Sequence, residues 1–230
     1  MNTVGIVGGI GPESTIEYYR KIVSAYCERD SQGNYPQIVV NSINMKKMLD
    51  LIGAGEFDEV TGYLVSELGK LAVAGADFAL LASNTPHIVF DKVRESSPLP
   101  LISIVEATCT KVKGMGLRRV ALFGTKFTMQ GGFYDQVFSK YDIKVYIPDD
   151  IDQYYIHDKY MGELIKGIVR DETKSELLAI AEKMRLEHDV QGLILGGTEL
   201  PLILQNEDVP GMHVLDTTEI HVENILETLE

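Results

Sequence analysis

Two short segments, one in each half of the chain, carry side chains that could do chemistry. They are LLASNTPH, from Leu80 to His87, and LILGGTEL, from Leu193 to Leu200. Each is an apolar run, typical of a strand buried on both faces, that ends in small, hydroxyl-bearing or amide-bearing residues. Ligands of open parallel sheets bind outside the carboxyl ends of the strands. The segments therefore predict two half-sites facing one cleft, and neither segment contains the chain's only thiols, Cys27 and Cys109.

The polar residues at these segment ends suit a small carboxylic acid. Asn84, Thr85 and Thr198, together with backbone amides of the strand-end loops, can hold one carboxylate by directed hydrogen bonds. No cluster of Cys and His residues has the spacing of a metal site, so we expect no metal.

A glycine turn, GGIGPEST from Gly8 to Thr15, is a third candidate. Its glycines allow the backbone, at Gly9 above all, to approach an anion at a helix N-terminus. The turn is not GxGxxG and lacks the lysine of a P-loop, so NAD, FAD and ATP are unsupported as cofactors. Pro12 at the helix start and a Ser14 or Thr15 cap explain most of the pattern structurally.

Composition narrows the class of protein. The chain has 230 residues, 45% of them hydrophobic, and a formal charge of −13. The acidic balance disfavours nucleic acid and anionic membrane surfaces as partners. There is no apolar run of about 18 residues to span a bilayer and no signal-peptide pattern, so we expect a cytoplasmic protein.

Strand-like runs alternate with amphipathic stretches along the chain, which is the signature of an α/β fold. The two halves share one order of elements, since each begins with a strand, a glycine turn and a helix. We predict two pseudo-symmetric lobes, each a doubly wound unit with a parallel sheet, and an active cleft between them. The predicted boundaries give residues 1–98 plus 209–230 for the first lobe and 99–208 for the second.

A set of motifs runs in order along nearly the whole chain. It comprises GGxGPxST followed by Tyr18 and Tyr19, Asn-Thr-x-His at Asn84 to His87, ALxGTxxTM at Ala121 to Met129, Phe133 with Tyr134, Lys166, Gly197 to Glu199, and DTTxIH at Asp216 to His221. The set resembles that of the aspartate/glutamate racemase family. The resemblance implies a racemisation that needs no cofactor, in a cleft between two lobes, and family members often pair as homodimers.

In typical family members, two cysteines stand on opposite faces of the substrate α-carbon. One thiolate removes the α-proton and the other thiol returns a proton from the far side, because thiol pKa values can be tuned towards neutrality. In this sequence, the first cysteine position falls on Ser83 and the second on Gly197. Serine is a weak acid that needs an activating neighbour. Glycine removes the group, so the symmetric two-thiol route is absent.

Several neighbours are candidates to replace the lost groups, and each has a structural alternative. Glu199 is either a base beside Gly197 or a residue that orients substrate or braces the loop. His87 either titrates in the useful range or caps or packs beneath the site. Gly197 is expected to leave extra volume opposite Ser83, for a larger substituent or a water.

Two lysine positions complete the candidate set. Lys166 either pairs with a substrate carboxylate or occupies a solvated helix position. Lys47, with Lys46, either serves the distal acid group of the substrate or belongs to a solvated face.

Three functions are compatible with these residues. The first is a divergent racemase or epimerase that acts on an aspartate-like or glutamate-like amino acid by α-proton abstraction. The second is a decarboxylase or isomerase of the same superfamily. The third is a non-catalytic protein that binds or senses a small carboxylic acid. Exchange of the substrate α-proton with solvent separates the first from the third.

Overall fold

The computed structural model describes residues 2–229 and divides the chain into two compact units. The first unit runs to Ile104 and resumes at His221, and the second comprises Val105–Ile220. The sequence predicts boundaries at 98/99 and 208/209. Both observed divisions therefore fall later in the chain than predicted. The second difference arises from the last strand, which joins the second sheet.

The first unit is built around a parallel sheet. Its elements are β1 (Thr3–Gly8), α1 (Pro12–Arg29), β2 (Gln37–Ser42), α2 (Met45–Gly53), α3 (Phe57–Val73), β3 (Phe78–Leu81), a 3₁₀ turn (Thr85–Val89), α4 (Phe90–Ser96) and β4 (Leu101–Ile102). The strand order is β2-β1-β3-β4 and every described pairing is parallel.

Helices cover both faces of this sheet. Val4 and Ile6 of β1 belong to a buried cluster with Tyr18 of α1. Gly5 points to the other face, where a Cβ would lie 3.1 Å from Leu71 Cδ1 of α3. A strand covered on both faces must be apolar throughout, which is why β3 reads FALL and is buried at every residue.

The second unit repeats this plan. Its elements are α5 (Ile104–Gly114), β5 (Arg119–Gly124), α6 (Lys126–Gln130), α7 (Phe133–Phe138), a 3₁₀ turn (Ser139–Tyr141), β6 (Lys144–Tyr146), α8 (Asp150–Gly162), a 3₁₀ turn (Leu164–Lys166), α9 (Asp171–His188), β7 (Gly192–Gly196), 3₁₀ turns (Leu200–Leu202 and Asn206–Asp208) and β8 (His213–Asp216). The last helix, α10 (Thr217–Leu229), begins in this unit and belongs to the first unit from His221 onward. The strand order is β6-β5-β7-β8, again parallel.

Strand β8 corrects one sequence prediction. The predicted boundaries place the last strand and the last helix together in the first lobe, but β8 pairs with β7, with Leu195 opposite Asp216. Only the later part of α10 belongs to the first unit, where Val222, Ile225 and Leu226 join the cluster around β1. The predicted α/β class, with two parallel sheets in two units, is confirmed.

Candidate functional site

The two candidate segments follow the inner strands of the two sheets. Strand order reverses between β1 and β3 in the first unit and between β5 and β7 in the second. In open parallel sheets, loops diverge at such a reversal and leave a crevice at the carboxyl ends of the strands. The segment that begins with Ser83 follows β3, and the segment that begins with Gly197 follows β7. In each unit, the predicted residues therefore lie at the switch point, which is the place where the strand order reverses.

In the first unit, the structure brings Ser83, Asn84 and Thr85 together where β3 ends. The backbone N–H of Ser83 donates to the Leu81 carbonyl at 2.8 Å, which turns the chain out of the strand. Asn84 and Thr85 are buried, whereas Ser83 is half-buried. Within residues 2–229, the hydroxyl of Ser83 forms no hydrogen bond with another side chain or the backbone. It is therefore a small donor that is open to a ligand.

His87 packs beneath this loop. Its Nδ1 lies 3.1 Å from the Ser83 carbonyl, and its ring stacks on Phe90 with the centroids 4.5 Å apart. Burial lowers the pKa of His87 to about 3, so the ring is neutral at physiological pH. Because a carbonyl only accepts, Nδ1 carries the hydrogen and donates it to Ser83. Two roles are predicted for His87. Titration in the useful range is wrong, and the ring instead packs beneath the site.

The glycine turn after β1 has a structural explanation. Gly9 has a φ of 78°, and a Cβ on it would lie 2.6 Å from both the Ile43 carbonyl and the Ser42 hydroxyl. Its N–H donates to the Thr15 hydroxyl at 2.8 Å. The backbone conformation, the packing and the bond account for Gly9 without a ligand. Pro12 begins α1 as predicted, but Gly11 is the N-cap and no side chain caps the helix.

In the second unit, α8 crosses towards the end of β7. The Asp149 side chain caps α8 by accepting from the N–H groups of Ile151 and Asp152. Near the other end of the helix, Tyr160 places its ring against Gly197. A Cβ on Gly197 would lie 2.4 Å from Cε2 of that ring. The expectation of extra volume at Gly197 is therefore wrong, because Tyr160 fills it.

Glu199 is held by two hydroxyl groups. Tyr160 donates a hydrogen bond to Oε2 of Glu199, and the Thr198 hydroxyl donates to the same oxygen at 2.8 Å. Both Tyr160 and Glu199 are buried. Burial, followed by the charge of Glu199, raises the pKa of Tyr160 well above its usual value, so the phenol stays protonated. Both bonds hold the Glu199 side chain within the second unit, and the alternative roles predicted for Glu199 stay predictions.

The candidate lysines lie on the surface. Lys166 ends the 3₁₀ turn at Leu164–Lys166 and forms no ion pair within the described part of the chain. Lys47 places its Nζ 4.3 Å from the ring centroid of Tyr63. Together with Lys46 and Asn44, it lines an open pocket of 410 Å³ in the first unit. Within residues 2–229, no hydrogen bond or ion pair joins Lys47 to Ser83 in the first unit or Lys166 to Glu199 in the second.

Neither thiol of the chain belongs to these strand ends. Cys27 is half-buried on α1, and Cys109 is buried on α5. Burial raises the pKa of the Cys109 thiol to about 11, which makes it a poor nucleophile near neutrality. Among the residues that the structure describes, no group of three or more His, Cys, Asp or Glu residues is placed to hold a metal ion. No helix in residues 2–229 has the length and apolarity of a membrane span.

Sequence reasoning missed Tyr160. It lies on a helix with two further tyrosines, Tyr154 and Tyr155, so its spacing suggests only packing. The signal that could have found it is indirect. Where the family resemblance predicts a cysteine and the sequence has glycine, a large side chain from elsewhere in the chain is the first candidate to fill the space.

Comparison with known proteins gives one consistent result. The family model described as Asp/Glu/Hydantoin racemase matches residues 7–225. RacX of Bacillus subtilis, a broad specificity amino-acid racemase, is 28% identical over 138 residues, which are 58% of this chain. That match spans 59% of the length of RacX. A Pectobacterium carotovorum protein without an assigned function is 30% identical over 60% of this chain and 91% of its own.

Solved structures agree with the sequence comparison. A candidate Asp/Glu racemase from Yersinia pestis superimposes with a TM-score of 0.91 at 30% identity, over 100% of this chain and 99% of its own. An aspartate racemase homologue from Pyrococcus horikoshii has a TM-score of 0.86 at 33% identity, with the same coverage. Glutamate racemase from Francisella tularensis, solved with D-glutamate, shares the fold at 17% identity, with a TM-score of 0.70 over 99% of this chain and 81% of its own.

Proposed function

The chain belongs to the Asp/Glu/Hydantoin racemase family, and from this premise we propose that it binds a small acidic amino acid without two-thiol racemisation. The binding residues in this proposal are Ser83, Asn84 and Thr85, which follow β3 in the first unit. Each supplies a neutral hydroxyl or amide group that can bond a carboxylate. Lys47, which belongs to the same unit, is proposed as the cation that attracts an acid group of the ligand.

The observation that carries this proposal is the state of the Ser83 hydroxyl. It is half-buried at the switch point, and no described side chain accepts its hydrogen. An alcohol becomes a useful base only when a neighbour takes its proton. The nearest imidazole, that of His87, is neutral and directs its Nδ1–H to the carbonyl of Ser83. Ser83 is therefore suited to donating a hydrogen bond and poorly suited to abstracting an α-proton.

The class of ligand is argued from relatives that share the family or the fold. RacX is described as an amino-acid racemase, and the Francisella tularensis enzyme was solved with D-glutamate. In this chain the position of the second thiol carries no thiol, because Gly197 stands there. Loss of the acid and base groups need not remove the groups that bind the carboxylate. Binding is therefore the part of the family's function that these residues support best.

The experiment combines two measurements on one sample. The protein is incubated in D₂O with L-aspartate, D-aspartate, L-glutamate and D-glutamate in turn. NMR then follows deuterium at the α-carbon, and thermal unfolding reports binding. We expect at least one amino acid to raise Tm without α-deuteration above a buffer control. Deuteration that disappears in Ser83→Ala would overturn the non-catalytic proposal.

A slow racemase is the second candidate, favoured by the match to RacX. It predicts deuteration together with inversion of the α-carbon, whereas exchange without inversion indicates proton transfer at one face only. The homodimer expected from the family stays a prediction, and sedimentation velocity tests it.

A further inference from the structure

The two adjacent lysines of α2 differ in what their ammonium groups contact. Lys46 forms an ion pair with Asp50 at 2.6 Å on the surface of the same helix. Lys47 forms no ion pair within residues 2–229, and its Nζ lies 4.3 Å from the ring centroid of Tyr63 on α3. An aromatic face attracts an ammonium group without neutralising its charge. Of the two lysines, Lys47 is therefore the one whose charge stays available to an anion.

Tyr63 is also bonded to the start of the helix that carries Lys47. The backbone N–H of Asn44, the N-cap of α2, donates to the Tyr63 hydroxyl at 3.1 Å. The Asn44 side chain accepts from the N–H of Lys47 at 3.3 Å. One tyrosine of α3 thus contacts both the cap of α2 and the ammonium group of a residue in its first turn.

A carboxylate lies one turn further along α3. Glu67 is buried and accepts hydrogen bonds from the side chains of Lys70 and Asn41. Burial raises the pKa of Glu67, but these bonds and the charges of Lys70 and Lys47 outweigh it and lower the pKa below its usual value. Residues four apart lie on one face of a helix, so Tyr63 and the ionised Glu67 together attract the Lys47 ammonium towards α3.

Lys47 lies at the same edge of the first sheet as Ser83. Strands β2 and β3 both pair with β1, so their carboxyl ends lie about 10 Å apart. Lys47 belongs to the helix that follows β2, and Ser83 follows β3. A lysine side chain together with one small amino acid can span that distance. Lys47 also lines the open pocket of 410 Å³, so a ligand can reach it.

We propose that Tyr63 is a positioning residue, which holds the Lys47 ammonium in place for an acid group of the bound amino acid. The inference rests on the proposed function and deepens it, because it names the residue that fixes the cation. A side chain that is held before binding loses less conformational entropy when the ligand arrives. Removal of the ring should therefore weaken binding through Lys47 alone.

The first experiment tests the contact and needs no ligand. The protein is labelled with ¹³C at the lysine Cε atoms, and Lys47→Arg and Lys46→Arg identify the two NMR signals by their loss. Because an aromatic ring shields nuclei above its face, we expect the Lys47 signal upfield of the Lys46 signal in the wild type and in Tyr63→Phe. In Tyr63→Leu this upfield shift should disappear. A Lys47 signal that is unchanged in Tyr63→Leu overturns the contact.

The second experiment tests binding. Isothermal titration with L-aspartate, D-aspartate, L-glutamate and D-glutamate identifies the ligand that the wild type binds most tightly. We expect Tyr63→Leu to weaken its binding about two- to fivefold, the loss expected for one exposed cation–π contact. Tyr63→Phe keeps the ring and should keep the affinity within about 1.5-fold. Tyr35→Leu is the control, because Tyr35 belongs to the same unit, is 68% exposed and should leave the affinity unchanged.

A double variant separates positioning from a structural role. In a Lys47→Met background the ammonium is gone, so adding Tyr63→Leu should not weaken binding further. A loss of affinity that persists in this background shows that Tyr63 acts on the fold and contradicts the inference.

The remaining outcomes separate this inference from the proposed function. If no amino acid of the panel binds, the proposed function fails for these ligands and the role of Tyr63 in binding fails with it, whereas the NMR signals still decide the contact. If Lys47→Met binds as tightly as the wild type, binding at Ser83 to Thr85 stands and the inference is wrong.

Discussion

The hydroxyl of Tyr18 lies 2.8 Å from Nδ1 of His221, although 203 positions separate them in the chain. The other ring nitrogen of His221 lies 3.1 Å from the carbonyl of Ile102. Because that carbonyl only accepts, Nε2 carries the hydrogen, and neutral Nδ1 accepts from Tyr18. One neutral imidazole thus joins α1, β4 and α10 in the interior of the first unit.

Removal of the Tyr18 hydroxyl should destabilise the protein. Tyr18→Phe keeps the ring but leaves Nδ1 of His221 as a buried acceptor without its donor. We expect a loss of about 1–3 kcal/mol in the free energy of unfolding. Urea denaturation measures it. Tyr19→Phe is the control, because Tyr19 is 53% exposed and its change should stay within about 0.5 kcal/mol.

The buried histidines should make stability depend on pH. Burial lowers the pKa of His221 to about 4 and that of His87 to about 3, whereas in the unfolded chain a histidine titrates near 6.5. Below pH 6.5 the unfolded state binds more protons than the folded state, so stability falls as the pH drops towards 4. Each histidine should cost roughly 2 kcal/mol between pH 8 and pH 5.

A variant isolates this effect from the titration of the many carboxylates. His221→Gln retains a donor and an acceptor but does not titrate. We expect it to be less stable than the wild type at pH 8 and to lose about 2 kcal/mol less between pH 8 and pH 5. Equal pH dependence in the two proteins would show that His221 is not held neutral in the folded state.

Glu199 and Tyr160 should be energetically coupled. Glu199→Gln removes the charge that receives two hydroxyl bonds, and Tyr160→Phe removes one of the donors. We expect each change alone to cost about 1–3 kcal/mol. In the double variant, the cost should be at least about 0.5 kcal/mol smaller than the sum, because both changes delete the same bond. Strict additivity in urea denaturation would contradict the shared bond.

Much of the fold follows from local pattern. Short apolar runs identified β3 and β7, because strands covered on both faces carry apolar residues throughout. The same pattern predicts that the polar residues after β3 and β7 lie at the carboxyl edge of each sheet, since parallel strands end at one edge. Pattern did not reveal that β8 joins the second sheet. A buried strand such as HVLD has the same composition whichever sheet it extends.

The candidate site was harder to predict for a related reason. Ser83, Asn84 and Thr85 are neighbours in sequence, so their grouping at one strand end was visible. Tyr160 is 37 positions before Gly197, and nothing local in either segment indicates that the ring of one fills the space of the other. The low pKa of His87 was equally hidden, because it follows from burial.

Substitutions of Ser83 test whether the first unit binds the amino acid and whether it can exchange the α-proton. Ser83→Ala removes a hydroxyl that has no partner in residues 2–229, so Tm should change by less than about 2 °C. The affinity for the preferred amino acid should fall by about 2–10-fold, which is the value of one hydrogen bond. Ser83→Cys restores a thiol, which is a far stronger acid than the serine hydroxyl. We expect it to exchange the α-proton with D₂O while the configuration is retained, because Gly197 stands where the family resemblance predicts the second thiol. Inversion in Ser83→Cys would show that another group of this chain protonates that face, and Tyr160→Phe in the same background would then identify or exclude the phenol.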